Sequence, residues 1–240
     1  MPSYKVLPTE EERYNPDLLR DGLGDEVGYE SSLDPPRGVI ADSFEGDIED
    51  EIFWVKFGWE RTGTRLTWEG EDQYSYIESY PVFFLQNGYI AHHKGRTDVR
   101  SSIRSAIQRV IQSGITLDHI EFHTDDLLDV LDQAESVQRL DIAPTDRSEP
   151  DYLSASDRDD LRKTNFVEEY EGEPFQKVKI SVPGEDVDVN VGFDQDGTVI
   201  LYGRNMELPK QASVLRFLCN EVIENYVGDL PNQGNLSRFI

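Results

Sequence analysis

The chain of 240 residues contains a single cysteine and two methionines, and acids outnumber bases by 48 to 23. With one cysteine no disulfide can form within the chain, and no Cys cluster is available for zinc or an iron–sulfur centre. Cys219 falls on the apolar side of a helical pattern and reads as a small buried hydrophobe. No apolar run approaches the roughly 18 residues a spanning helix needs, and Met1 to Arg20 has no apolar core of signal-peptide length. The expectation is a cytoplasmic, water-soluble protein. P-loop, Rossmann glycine and Gly-x-Ser-x-Gly patterns are all missing, so no cofactor is expected and no catalytic residue stands out.

What is present is acid and aromatic. The formal net charge is −25, spread along the chain, beside 11 Phe, 11 Tyr and 3 Trp. The aromatic content argues for a folded core. The charge resembles that of proteins from salt-in halophilic archaea: at molar salt the screening length falls to about 3 Å, so the self-repulsion is largely removed. Under those conditions acidity does not exclude a nucleic-acid partner, as it would at ordinary ionic strength.

Residues 1–50 carry 14 Asp and Glu against 4 Lys and Arg and show no sustained period. They read as a partly ordered acidic arm, with a short helix from Asn15-Pro16 to Leu23. Order begins at Glu51. Phe53, Val55, Phe57 and Trp59 alternate, Thr62-Gly63 is expected to turn the chain, and Leu66 and Trp68 continue it, giving a hairpin with an aromatic face. Gln73 to Tyr80 reads as an extended edge. Pro81 to His93 reads as a second hairpin, closed by Asn87-Gly88.

Thr97 then caps a helix whose apolar positions are Val99, Ile103, Ala106, Ile107, Val110 and Ile111. A short strand over Leu117 to Phe122, a helix capped by Thr124 with Leu127, Leu128, Leu131 and Ala134 inward, and a strand over Val137 to Ile142 complete a first half, residues 51–142. Residues 143–154 form a polar connection. The second half, 155–240, opens on a short charged helix over Asp157 to Lys163. Alternating strands through Val178–Val182 and Val187–Phe193 follow, then a strand over Thr198 to Tyr202. A helix opened by Pro209 carries Leu215, Leu218, Cys219, Val222, Ile223 and Tyr226 on one face.

Phe83 to Ile111 and Val191 to Ile223 thus share one order: strand, glycine turn, strand, glycine, amphipathic helix. The expected fold is α+β, two related halves, each an antiparallel sheet covered by an amphipathic helix. The unit resembles the half-repeat of the TATA-box-binding protein family, with Gln86-Asn87-Gly88-Tyr89 and Gln195-Asp196-Gly197-Thr198 at the turns. Neither turn carries the family's Lys after Gly. The resemblance implies an architecture, and DNA binding only by association.

Several groupings carry chemistry. Lys94, Arg96, Arg100, Arg104 and Arg109, opposed by Asp98, form the one cationic stretch. It suits phosphates or an acidic partner, or else pairing with the protein's own acids. His92, His93, His123, Asp125 and Asp126 offer metal-ligand atoms, but Thr124 with two acids also makes an ordinary helix start, and adjacent His92 and His93 point to opposite faces. Asp186 and Asp188 superficially match a nucleotidyl-transferase pair; charge pairing with Lys177 and Lys179 on the facing strand accounts for them better. Phe53, Trp54, Phe57, Trp59 and Trp68 would stack on bases if exposed, and build a core if not.

The reading that follows is a non-catalytic binding or scaffolding module of a halophile or its virus, engaging nucleic acid or protein, with no metal and no membrane. Its rivals are a metal-dependent nuclease or hydrolase and a virion or assembly subunit.

Overall fold

The computed structural model describes residues 1–8, 22–23, 27–47, 52–85, 88–111, 120–122, 127, 130–131, 134–143, 152–157, 159–170, 173–182, 189–203 and 206–223. Two compact units emerge. One comprises Ser3–His119 with Glu207–Ala212; the other comprises Met1–Pro2, Ile120–Met206 and Ser213–Ile240.

In the first unit the strands are β1 (Ser3–Pro8), β2 (Arg37–Val39), β3 (Glu45–Asp47), β4 (Ile52–Thr67), β5 (Gly70–Leu85) and β6 (Tyr89–His93). They pair antiparallel in the order β2-β4-β5-β6-β1, with β3 also on β4. The N-terminal stretch therefore supplies three strands. One face of the sheet carries Phe53, Val55, Phe57, Trp59, Tyr80, Val82, Phe84 and Ile90, all buried. Against it lies helix α1 (Thr97–Ile111), whose Val99, Ile103, Ala106 and Ile107 join the same apolar cluster. The 3-and-4 spacing of those residues is what turns one side of α1 to the sheet.

The second unit holds β7 (Ser136–Ile142), β8 (Leu153–Ser156), β9 (Phe175–Val182), β10 (Val189–Asp194) and β11 (Thr198–Tyr202), antiparallel in the order β11-β10-β9-β7-β8. Val137, Leu140, Val178, Ile180, Val191, Phe193, Val199 and Leu201 fill its core. A short helix α2 (Phe166–Glu169) follows a 3-10 turn at Leu161–Lys163.

The expected α+β fold of two related halves is corrected. Among the described residues 49% are strand and 25% helix, and eleven strands dominate. The second helix is the clearest departure. Helix α3 (Leu208–Phe217), continued as a π-turn over Leu218–Ile223, has its opening residues in the first unit and the rest in the second. Its Gln211, 7% exposed, accepts a hydrogen bond from the hydroxyl of Tyr4 on β1. A second correction concerns Thr62-Gly63, which does not turn. β4 runs straight through it to Thr67, and the chain reverses at Trp68-Glu69. The charged helix expected over Asp157 to Lys163 is reduced to the 3-10 turn.

Asp160 ties the second unit together. Its carboxylate accepts from the backbone N–H of Val137 at 3.1 Å and of Arg162 at 3.2 Å, and from the Arg162 guanidinium at 2.9–3.2 Å. Arg162 in turn donates to the carbonyls of Leu131 at 3.2 Å and Glu135 at 2.8 Å. Three chain segments are joined through one ion pair. The Arg162 hydrogen bonds, outweighing burial, hold the Asp160 carboxyl down at about 2. A depressed folded value means the stabilisation is complete above the unfolded value near 4 and drains away as pH falls towards 2. Asp160→Asn is therefore expected to cost on the order of 2 kcal/mol at neutral pH, with the deficit shrinking below about pH 3 in denaturant titrations. A deficit of the same size at pH 2 and pH 7 would show that the charge is not what matters.

Candidate interaction surface

β4 and β5 are 16 residues each and remain in one register from Phe53↔Phe84 to Thr67↔Gly70. Their inner halves belong to the sheet. β2 pairs with Phe57–Trp59 and β6 with Val82–Leu85. Beyond those contacts, among the described residues, 61–67 and 70–76 pair only with each other, and the burial pattern changes from buried to exposed. Pro81, which has no N–H to donate, lies just where β6 pairing stops. The outer halves form a solvated two-stranded ribbon.

The side chains of this ribbon are not those of an ordinary solvated loop. At its end Trp68 is 98% exposed and Leu66 is 86% exposed; Tyr74, Tyr76 and Ile77 are 43–50% exposed. The β register puts Arg61, Gly63, Arg65, Asp72, Tyr74 and Tyr76 on one face, and Thr62, Thr64, Leu66, Gln73, Ser75 and Ile77 on the other. On the first face the aromatic rings form a stripe: Tyr74 and Tyr76 have centroids 5.8 Å apart, and Tyr74 lies across Gly63. A β-carbon at residue 63 would come within 2.8 Å of that ring, so only glycine lets the tyrosine lie flat there.

Arginines are laid onto this stripe. Arg65 lies over Tyr74 at 5.9 Å, and Arg37 and Arg61 lie over Trp59 at 5.4 and 5.8 Å. Each ribbon arginine also has a carboxylate: Arg65 Nη2 is 2.7 Å from Asp72, and Arg61 Nε is 2.9 Å from Glu78. Arg61 further donates to the Tyr80 hydroxyl at 3.1 Å. Hydrogen bonds from Tyr80 and Arg61, against the cost of burial, lower the Glu78 carboxyl below its usual range. Burial raises the Tyr80 hydroxyl. From Arg61 to Glu78 there are two arginines and four acids, so the ribbon is net negative.

The other expected groupings fall as follows. Arg96, Arg100 and Arg104 step along the start of α1 at four-residue intervals, with Lys94 before them and Arg109 exposed near the helix end. Arg96 is 3.4 Å from Asp98, and Arg100 donates to Thr97 Oγ1 at 3.3 Å. The strip is present, and two of its members are engaged locally. His92, 1% exposed, and His93 take opposite faces of β6. Burial lowers the His93 imidazole, and His92 Nδ1 is 3.0 Å from the His93 carbonyl. Among the described residues no group of three His, Cys, Asp or Glu side chains is placed to hold a metal ion. His123, Asp125 and Asp126 lie outside the described residues, as do Asp186 and Asp188. Lys177 instead meets Asp194 on β10 at 3.0 Å.

Of the five aromatics singled out in the sequence, Phe53, Trp54, Phe57 and Trp59 are core, 0–6% exposed, and Trp68 alone is outside. Sequence reasoning missed the ribbon, though a signal existed: after Trp59 the alternation stops, and Thr62, Gly63, Thr64 and Arg65 offer no apolar face to bury. No protein-family model matches the chain, and no curated protein is significantly similar to it. No helix among the described residues is long and apolar enough to cross a membrane.

With Trp54 and Trp59 buried, acrylamide is expected to quench the fluorescence of Trp68 alone, and Trp68→Phe to abolish the quenchable fraction. Equal quenching of the variant would show that the tip is covered.

Proposed function

We propose that this protein is a non-catalytic binding module, working in molar salt, that seizes a protein partner with the β4–β5 ribbon. The single observation carrying this is Trp68, 98% exposed at the end of a ribbon paired to nothing else among the described residues. Leaving an indole and Leu66 in water forfeits roughly 1.5–3 kcal/mol per side chain that burial would return. Trp, Tyr and Arg are also the residue types in which protein-binding energy concentrates.

Nucleic acid is the weaker partner for this surface. Its arginines are already shared with Asp72 and Glu78, and Glu69 and Glu71 stand beside the tip, so the ribbon offers phosphates few cations even where long-range repulsion is screened. A nucleic-acid role through Lys94, Arg96, Arg100, Arg104 and Arg109 has less behind it, since Arg96 and Arg100 are occupied by Asp98 and Thr97. For a hydrolase, His123, Asp125 and Asp126 lie outside the described residues, and His92 with His93 on opposite faces of β6 adds nothing in its favour.

The test compares wild-type protein and Trp68→Ala/Leu66→Ser as baits in molar KCl lysate, with sedimentation of each alone. Both side chains are solvated, so folding stability is expected to change by no more than about 0.5 kcal/mol. Loss of two anchors is expected to weaken a captured protein by roughly 30-fold or more, the effect of about 2 kcal/mol. Undiminished capture by the variant, or capture of nucleic acid alone, overturns the proposal. Large assemblies of the wild type alone that the variant no longer forms would make the partner another copy of the chain.

A further inference from the structure

The second unit carries a groove of about 550 Å³ on the polar face of its sheet, lined by Gln138, Arg139, Ser156, Asp157, Lys179 and Tyr202. The lining comes from four strands and the residue after β8, brought together by register. Arg139 is paired with Ser156 on β8 and with Lys179 on β9, and Lys179 with Gly192 on β10. The β7–β9 register shifts between Val137 and Arg139. Gln138 is the additional residue there, so both it and Arg139 stand beside Lys179. Bulges re-aim side chains in this way and recur beside binding sites. The Gln138 carbonyl accepts from the Asp157 N–H at 3.0 Å, which brings the end of β8 to the same place.

Two features of this groove work against the stability of the bare sheet. The first is a pair of like charges, Arg139 and Lys179, directly opposite each other on neighbouring antiparallel strands; Arg139 meets the Asp141 carboxylate on its own strand, whereas Lys179 faces only Gly192 and Arg139. It stands in a chain with 48 acids and 23 bases, where an acid opposite either cation would be easy to come by. The contrast with the next pair along is direct: Lys177 lies opposite Asp141 and Asp194 and is 3.0 Å from Asp194. The second feature is Gly192 in the middle of β10, which weakens a strand. A β-carbon there would come within 3.0 Å of the Tyr202 ring. The gap allows Tyr202 to lean from β11 across β10, where its ring receives the Lys179 ammonium at 4.6 Å from the centroid. The ammonium is thereby fixed without being neutralised.

Arg139 is fixed as well. Its Nε donates to Asp141 at 2.8 Å, and that carboxylate also accepts from Ser154 Oγ at 2.6 Å. A guanidinium has five N–H donors, so anchoring to Asp141 and Tyr152 leaves others for a ligand. The one acid on the lining, Asp157, accepts from the Asp159 N–H at 2.7 Å and thus serves its own loop. Gln138 and Ser156 add neutral donors.

We propose that this groove binds the phosphate group of a small phosphorylated molecule between Arg139 and Lys179. A phosphate would give Lys179 the facing anion it lacks while sharing the Arg139 guanidinium with Asp141, and its oxygens suit the guanidinium, ammonium, amide and hydroxyl donors present. The volume falls within the range of small-molecule sites and leaves room for the group that bears the phosphate. This proposal is independent of the ribbon, which lies in the other unit.

The test is an amide ¹H–¹⁵N titration of the full chain with inorganic phosphate and with phenyl phosphate, at ionic strength held constant with KCl. Saturable shifts centred on Gln138, Lys179 and Gly192 are expected, with phenyl phosphate at least as tight as phosphate. Lys179→Met is expected to weaken binding at least tenfold. Asp157→Asn, which removes the only lining acid, is expected to tighten it, and it keeps the idea testable should the first variant fold poorly. Shifts that are non-saturable, that acetate reproduces at the same concentration, or that neither variant alters would overturn the proposal.

Discussion

The pairing of β4 with β5 is the constraint on which the first unit depends. Fifteen consecutive residue pairs keep one register, and because side chains alternate, a slip of one residue would exchange the two faces along its whole length. The inner half makes that slip prohibitive. Phe44, Phe53 and Phe84 are stacked with centroids 4.8 and 4.6 Å apart, and Phe53 and Phe84 are fully buried. Burying each such ring is worth roughly 1.5–3 kcal/mol, whereas a cross-strand pair on a solvated ribbon is worth about 0.2–1 kcal/mol. The outer half is held in place by the inner half. A two-stranded ribbon without a core is marginal alone; as the continuation of a buried pair it presents Tyr74, Tyr76 and Trp68 at settled positions.

Charge plays a positioning part throughout. Exposed ion pairs such as Arg65–Asp72 contribute little in water and less in salt, so they add little to the stability of the sheet that carries them. They decide where long side chains lie. The two buried carboxylates of the second unit differ from these. Burial acts to raise Asp141, but hydrogen bonds from Arg139, Ser154 and Tyr152 outweigh it and keep the carboxyl below its ordinary range. Asp160 is likewise met by several donors. Among the described residues of a chain so rich in acid, few carboxylates are taken into the interior, and Asp141 and Asp160 are each surrounded by donors.

Local patterns in the sequence were enough to place individual elements. The alternation of Val178 and Ile180, the Thr198–Tyr202 run and the 3-and-4 spacing from Val99 to Ile107 all correspond to elements that exist, because in each the apolar period matches the face that is buried. The sheet order was out of reach, since β1 and β6 are about 80 residues apart in sequence and nothing local announces that Tyr4 will lie opposite His93. Thr62-Gly63 misled because a glycine in a strand pattern and a glycine in a turn look alike until the ring that lies on it is known. The site residues were less legible than the fold. Neither Trp68 nor Tyr202 belongs to a motif; what distinguishes them is exposure in one case and a missing β-carbon across the strand in the other.

The edges of the ribbon, unpaired among the described residues, limit what can bind to it. A second copy docking antiparallel on the outer edge of β5, centred on Ser75, would bring Asp72 opposite Glu78 twice. On the edge of β4, centred on Gly63, it would bring Arg61 opposite Arg65 twice. Like charges at contact distance remain unfavourable even where a screening length of about 3 Å removes longer-range repulsion. Charged residues placed this way are how natural sheets prevent edge-to-edge growth. In those two registers the edges carry a like-charge penalty that the apolar end and the aromatic stripe do not.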